Sequence, residues 1–295
     1  MQNGPDAGLA LAQMWATPSL TPRSMFSAST KHGDEAKLLA GGHSLIPIMK
    51  LRLSQPKYLI DIGRLPGLSD VREQNGAITV GGLATHHTLE TSDLLKSKLP
   101  LLPETAAHVA DVQVRNRGTI GGSLVHADPA ADLPATALAL GAELHLVGAG
   151  GKRVIKADDF FVGLLSTAIA PNEILTEVRF PLPPPKTGAA YVKVPNKASH
   201  FAIVGVAALV TIGNDGRCER ARIGLTGVTH VPRRAQAAEH ALAGKVLDDG
   251  TIATAAALAA DGIKALNDLH ASAEFRLHLT RVMTGRALKL AASRA

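Results

Sequence analysis

Two short segments place consecutive glycines where a chain could hold an anion: Ala40-Gly41-Gly42-His43-Ser44 and Thr119-Ile120-Gly121-Gly122-Ser123. Consecutive glycines permit positive φ and leave no Cβ between the backbone and a ligand. Their N–H groups can converge as an anion-binding nest. Each segment follows a strand-like stretch and leads toward a helix start, where free N–H groups and the helix dipole favour negative charge. Two such loops could grip the two phosphates of a dinucleotide from either side. A glycine pair alone is a weak signal, because tight turns use it more often.

Other chemistries find little support. No segment has the glycine spacing of a Rossmann dinucleotide loop. Gly148 to Lys152 resembles a phosphate loop, but the upstream glycine is missing and Arg153 stands where Ser or Thr is required, so it reads as a hairpin turn. The 12 histidines include no helical HxxxH pair and no cluster with zinc spacing. His43 lies in the first glycine loop, and His86-His87 reads as surface. No Gly-x-Ser-x-Gly elbow suggests a hydrolase. Cys218 is the single cysteine, so the chain alone can hold neither a disulfide nor an iron–sulfur cluster.

Pattern and punctuation predict the elements that must position these segments. Residues 1–30 mix Gly, Pro, Ser and Thr with scattered apolar residues, and Pro18 and Pro22 break any helix between them. A strand over 37–40 runs into the first glycine pair. Ser44 is expected to cap a short helix through Leu51, with Pro47 in its first turn. Strands are expected at 58–62 and 77–81, and helices at 88–95 and 103–109. Residues 119–125 read as a glycine-interrupted strand or turn. Asp132 is expected to cap a helix that stops at Gly141. Strands 143–147 and 152–156 form a hairpin, and 174–180 is a further strand. The run from Pro181 to Pro185 marks a domain boundary, giving domains 1–183 and 184–295. Beyond it come three strands, 190–194, 202–212 and 218–225, the last two joined at Asn214-Asp215-Gly216. Helices at 232–243, 251–266 and 273–293 follow.

The chain has 295 residues, 46% apolar and 19% charged, enough for a real core. The formal charge of +6 has no cationic block longer than two residues, and aromatics make up 3%. A nucleic-acid groove wants clustered cations with stacking rings, so no nucleic-acid partner is expected. An acidic small ligand or partner surface explains the charge as well. No apolar run approaches 18 residues, and no secretory signal is visible, which makes the cytoplasm the expected location.

The stretch from Leu39 to Pro47, with Ala40-Gly41-Gly42-His43-Ser44-Leu45-Ile46 inside it and Met49-Lys50-Leu51-Arg52 after it, resembles the first FAD motif of the molybdenum hydroxylase medium subunits of the carbon monoxide dehydrogenase and xanthine dehydrogenase type. Arg115 to Leu124, with Ala127-Asp128-Pro129-Ala130-Ala131-Asp132, resembles the second. Tyr191-Val192-Lys193, Lys197 and Phe201-Ala202-Ile203-Val204 resemble the C-terminal flavin-side segment. Ser272 to Arg276 and Arg286-Ala287-Leu288 resemble the final helix. The likeness runs from about His32 to the end.

The resemblance implies an α+β fold: a vanillyl-alcohol-oxidase-type FAD domain, then a smaller domain of a three-stranded antiparallel sheet with a helical bundle. It implies that Leu39, Ala40, Gly41, Gly42, His43, Ser44 and Leu45, with Thr119, Ile120, Gly121, Gly122 and Ser123, hold a non-covalent FAD. It implies that Asp132 accepts a hydrogen bond from the cofactor, that Leu175 packs near the flavin or adenine, and that Lys193 lies near the isoalloxazine ring; the plain alternatives are an N-cap for Asp132 and a solvated strand residue for Lys193. No catalytic acid, base or metal ligand is implied on this chain. The molybdenum cofactor and [2Fe–2S] clusters belong to a large and a small partner subunit, in a dimer of heterotrimers. Such a complex, cytoplasmic or peripheral at the inner face of the membrane, hands electrons to an external acceptor such as a quinone. Carbon monoxide is the first substrate to consider, then N-heterocycles and purines. A self-contained flavin oxidase and a scaffold that has lost FAD are the rival readings. Residues 1–30 depart from the family's start. His200 stands where relatives often carry Asp, and Val109 stands where some carry an aromatic ring.

Overall fold

The computed structural model describes residues 13–15 and 31–295. Most of residues 1–30, including the stretch from Pro18 to Pro22, therefore lies outside the described residues. Within it, Gln13–Trp15 is a strand that pairs in parallel with Tyr58–Asp61, which pairs in parallel on its other side with Ala36–Leu39. A three-residue strand is too short for alternation to show in sequence, and its partner is more than 40 positions away.

An antiparallel five-stranded sheet follows, in the order Val71–Gln74, Ala77–Gly81, Glu173–Pro181, Glu143–Gly148, Gly151–Lys156. The expected hairpin at Gly148 to Lys152 is present, with Gly148 opposite Gly151. One face of this sheet packs on the helices. Ile78, Val80, Leu144, Leu146, Val178 and Phe180 meet Leu89, Leu102, Leu124 and Leu138 in one core. Burying a side chain of this size contributes about 1.5–3 kcal/mol.

The expected helix over 88–95 is two helices, His86–Thr91 and Asp93–Lys98. Ser92 separates them in extended backbone, and its Oγ accepts the Leu95 N–H at 3.4 Å. The stretch read as strand or turn at 119–125 is the helix Ile120–His126. Glycine propensity argued against it, but the Thr119 Oγ1 cap accepts the Gly122 N–H at 3.1 Å, and Ile120 and Leu124, one turn apart, are buried. Ser44 stands before the helix Leu45–Lys50, yet its side chain makes no capping bond. Asp132 likewise precedes Leu133–Leu140 in helical φ/ψ and caps nothing, because its carboxylate is engaged elsewhere.

The C-terminal sheet has four strands rather than three: Thr187–Pro195, Ala202–Ile212, Cys218–Thr226 and the two-residue Arg233–Arg234. The helices Gln236–Leu242, Asp249–Leu258 and Ala273–Ala292 cover it and bury Leu242, Ile252, Met283 and Leu288 against Val204, Val206 and Ile223. All eight residues of Leu133–Leu140 are buried, as befits a helix apolar on every side. It is the seam between the domains. A methyl on Gly224 would lie 2.0 Å from the Ala135 carbonyl oxygen, and Arg222 donates to the Leu138 carbonyl at 2.7 Å and to Asp158 at 2.8 Å.

Candidate functional site

The strand Ala36–Leu39 delivers the first glycine segment to the rim of the small parallel sheet. Gly42 has φ +78°, a region open to glycine and strained for other residues. The Gly42 carbonyl accepts the Ile46 N–H at 2.9 Å, starting the helix Leu45–Lys50. No described residue accepts from the N–H groups of Gly41, Gly42, His43 or Ser44. The His43 ring is exposed and bonds back to the Gly41 carbonyl at 3.2 Å.

The second segment is built differently. Its N–H groups are already used: Ile120 donates to Ala84 at 3.0 Å, Gly121 to Gly82 at 2.9 Å, and Gly122 to the Thr119 side chain. Gly121 and Gly122 therefore provide close approach and space rather than a nest. A methyl on Gly121 would sit 2.5 Å from the Gly82 carbonyl, whereas one on Gly122 would meet only Thr119 Oγ1. Gly82 in turn lies against Leu175, whose carbonyl would be 2.3 Å from a methyl on Gly82. Leu175 is thus a buried support under the second segment. Sequence reasoning passed over the third pair, Gly81-Gly82, although it was visible as one.

The two segments meet. A methyl on Gly41 would be 2.1 Å from the Arg117 carbonyl oxygen. His86, expected at the surface, is instead 4% exposed beneath this junction. Thr85 caps its helix, which turns His86 inward and leaves its neighbour His87 exposed. Burial, followed by the nearby charges of His43 and Arg115, lowers the His86 pKa to about 4. Arg115 donates to Glu90 at 2.8 Å. Unused N–H groups on the first segment and a glycine face open at Gly122 on the second fit a dinucleotide diphosphate.

Asp132 and Lys193 form a second cluster. Tyr191 donates its hydroxyl to Asp132 at 2.5 Å. The Lys193 ammonium donates to Asp132 Oδ2 at 3.0 Å, to the His108 carbonyl at 2.6 Å and to the His200 carbonyl at 2.7 Å. All three of its protons are taken, and its side chain is 2% exposed. It is no solvated strand residue. Burial pushes the Asp132 carboxyl up, against the pull of Lys193 and the Tyr191 hydroxyl, and the Tyr191 phenol is pushed well up by burial and by Asp132. The Tyr191 ring meets His108 edge-on at 5.6 Å. Tyr191 was missed as a site residue, yet its place two before Lys193 in one strand puts both on one face. Among the described residues, no hydrogen bond or ion pair joins this cluster to the glycine segments.

A two-domain α+β chain with this pair of facing glycine segments falls within a defined class. It belongs to the family described as FAD binding domain in molybdopterin dehydrogenase, which matches residues 14–183, and its C-terminal part matches the CO dehydrogenase flavoprotein C-terminal domain over residues 189–291. The chain is an FAD-binding medium subunit of a molybdenum hydroxylase related to carbon monoxide dehydrogenase. The likeness begins at residue 14, not near His32 as the sequence reading had it. The chain is 41% identical over 266 residues to the carbon monoxide dehydrogenase medium chain of Afipia carboxidovorans, covering 90% of this chain and 92% of that one. It is also 41% identical over 263 residues to the 6-hydroxypseudooxynicotine dehydrogenase complex subunit alpha of Paenarthrobacter nicotinovorans, covering 89% of each. The crystal structure of the Cu,Mo-CO dehydrogenase superposes with a TM-score of 0.90 at 40% identity, over 93% of this chain and 96% of that one.

Proposed function

We propose that this chain relays electrons within a multi-subunit hydroxylase. Its FAD receives them from [2Fe–2S] clusters on a small subunit and passes them to an external acceptor such as a quinone, while a molybdenum centre on a large subunit oxidises the substrate. The observation that carries this reading is the meeting of Gly41 with Arg117, which sets the donor-rich first segment against the open glycine face of the second. The lone Cys218 is buried and cannot hold a cluster.

FAD supplies the redox chemistry when bound, and the protein binds, orients and shields it. In this reading the N–H groups of Gly41 to Ser44 bind the diphosphate. Leu39, Ala40 and Leu45 shape that loop, and Ile120, Gly121 and Ser123 carry the facing helix. Thr119 fixes the start of that helix, and Gly122 leaves room. Leu175 supports the floor near the flavin or adenine. Asp132 and Lys193 fix the wall that the C-terminal domain brings to the isoalloxazine side. The domains divide at 183/184, and the complex is a cytoplasmic dimer of heterotrimers, or peripheral at the inner membrane face. No helix among the described residues is long and apolar enough to cross a membrane.

Carbon monoxide is the substrate we favour for the complex. The equal identity to the 6-hydroxypseudooxynicotine dehydrogenase complex subunit alpha supports an N-heterocyclic substrate as the second reading. The test is purification from the native host, with mass spectrometry of co-eluting chains and an absorption spectrum. Flavin bands, two partner chains and no turnover by the isolated subunit are expected. A chain that oxidises a substrate alone through its own flavin would overturn the relay.

A further inference from the structure

We propose that His86 is a positioning residue of the FAD site: its ring occupies the place of the side chain that Gly118 lacks, and so holds the residues 117–119 at the spacing the two glycine segments need. This rests on the reading that those segments hold FAD.

The contacts run in one direction through the site. The His86 N–H donates to the Gly118 carbonyl at 2.9 Å and the Ile120 N–H to Ala84 at 3.0 Å, which pairs Thr85 with Thr119. A methyl on Gly118 would lie 2.8 Å from both Cδ2 and Nε2 of His86. Gly118 is not among the glycines with positive φ, so its backbone conformation admits a side chain. The ring is the nearest obstacle to a side chain there, with the Val114 carbonyl oxygen next at 3.1 Å. One residue earlier, the Arg117 carbonyl is the atom on which Gly41 packs. Ring, strap and first loop are therefore stacked, and a shift of the ring shifts the gap between the segments. The ring is held for its shape, since its buried Nδ1 has no hydrogen-bond partner among the described residues. It is also held uncharged, because burial disfavours the protonated ring and the Arg115 charge nearby adds to that.

The test is FAD affinity of the apoprotein by flavin fluorescence quenching at low temperature, with Tm measured separately, for wild type, His86→Ala, Gly118→Ala, the double variant and His86→Phe. Overpacking and cavity formation at this contact should each weaken FAD binding by about tenfold or more. In the Gly118→Ala background, removing the ring should strengthen binding, a sign reversal that independent sites do not show. His86→Phe, which keeps the ring and folds as a conservative change, should bind FAD near the wild-type level. Wild-type affinity in His86→Ala, additive losses in the double variant, or a fall in Tm with unchanged affinity would each overturn the proposal. A wild-type chain that does not bind FAD would instead sink the reading beneath it.

Discussion

Lys193→Met isolates the energetics of the buried cluster. The substitution keeps most of the aliphatic stem and removes an ammonium that is 2% exposed, opposite a carboxylate that is 5% exposed. Asp132 is left buried with only the Tyr191 hydroxyl as donor. The His108 and His200 carbonyls lose their partner as well. Breaking a buried pair by removing one member costs about 3–5 kcal/mol. With 295 residues and about 2.1 cal/mol/K of unfolding entropy per residue, the expected fall in Tm is roughly 5–8 °C. The deficit must depend on pH. The folded-state pKa of Asp132 is already raised by burial, and losing the ammonium raises it further. A raised carboxyl binds its proton more tightly in the folded state, so the cost is full above the folded pKa and shrinks as pH falls through it toward the ordinary carboxylate value. Differential scanning calorimetry at pH 8 and pH 5 should show the smaller gap to wild type at pH 5. Adding Asp132→Asn should recover much of the loss, since replacing both members of a buried pair is often close to neutral. A fall below about 1 °C, a gap that is flat with pH, or no recovery in the double variant would refute the reasoning.

Gly122→Val should leave the protein folded but empty of flavin, because a branched side chain would occupy the face now open beside Thr119; the flavin content of the purified variant is the readout, and full occupancy would refute it. Gly41→Ala would press a methyl on the Arg117 carbonyl, so FAD content should fall there too, with Gly150→Ala, where nothing lies within 4 Å, as the silent control. Thr119→Ala removes the cap on the Gly122 N–H and should cost about 1 kcal/mol in urea unfolding. Asp158 ties Arg222 and Arg234; burial pushes its pKa up, but the hydrogen bonds and charges of the two arginines together outweigh that and leave it lowered. Its contribution is therefore present above the ordinary carboxylate range and lost as pH falls below it, so Asp158→Asn should lower Tm at pH 7 and converge with wild type in acid.

What the sequence determined by itself is what depends on short stretches of chain. The two glycine segments, the hairpin at Gly148 to Gly151, the stop at Gly141, which is left-handed in the structure, and the long strand Ala202–Ile212 all follow from neighbours within one turn or one strand. The FAD class was legible through the likeness of these short motifs to a family, not from the glycine pairs alone. Where long-range contacts set the outcome, local pattern misled. Residues 119–125 looked too glycine-rich for a helix, but tertiary burial of Ile120 and Leu124 and the Thr119 cap make one. His86 looked like half of a polar surface pair, and only the fold puts it under Gly118. Asp132 looked like a helix cap because caps are common; its carboxylate instead turns to Tyr191 and Lys193, 59 and 61 residues on. The second glycine pair looked like a nest, but the Gly82 carbonyl and the Thr119 side chain take its N–H groups. A hydrogen bond is chosen by whichever partner lies within 3 Å or so, and for these residues that partner comes from a distant part of the chain.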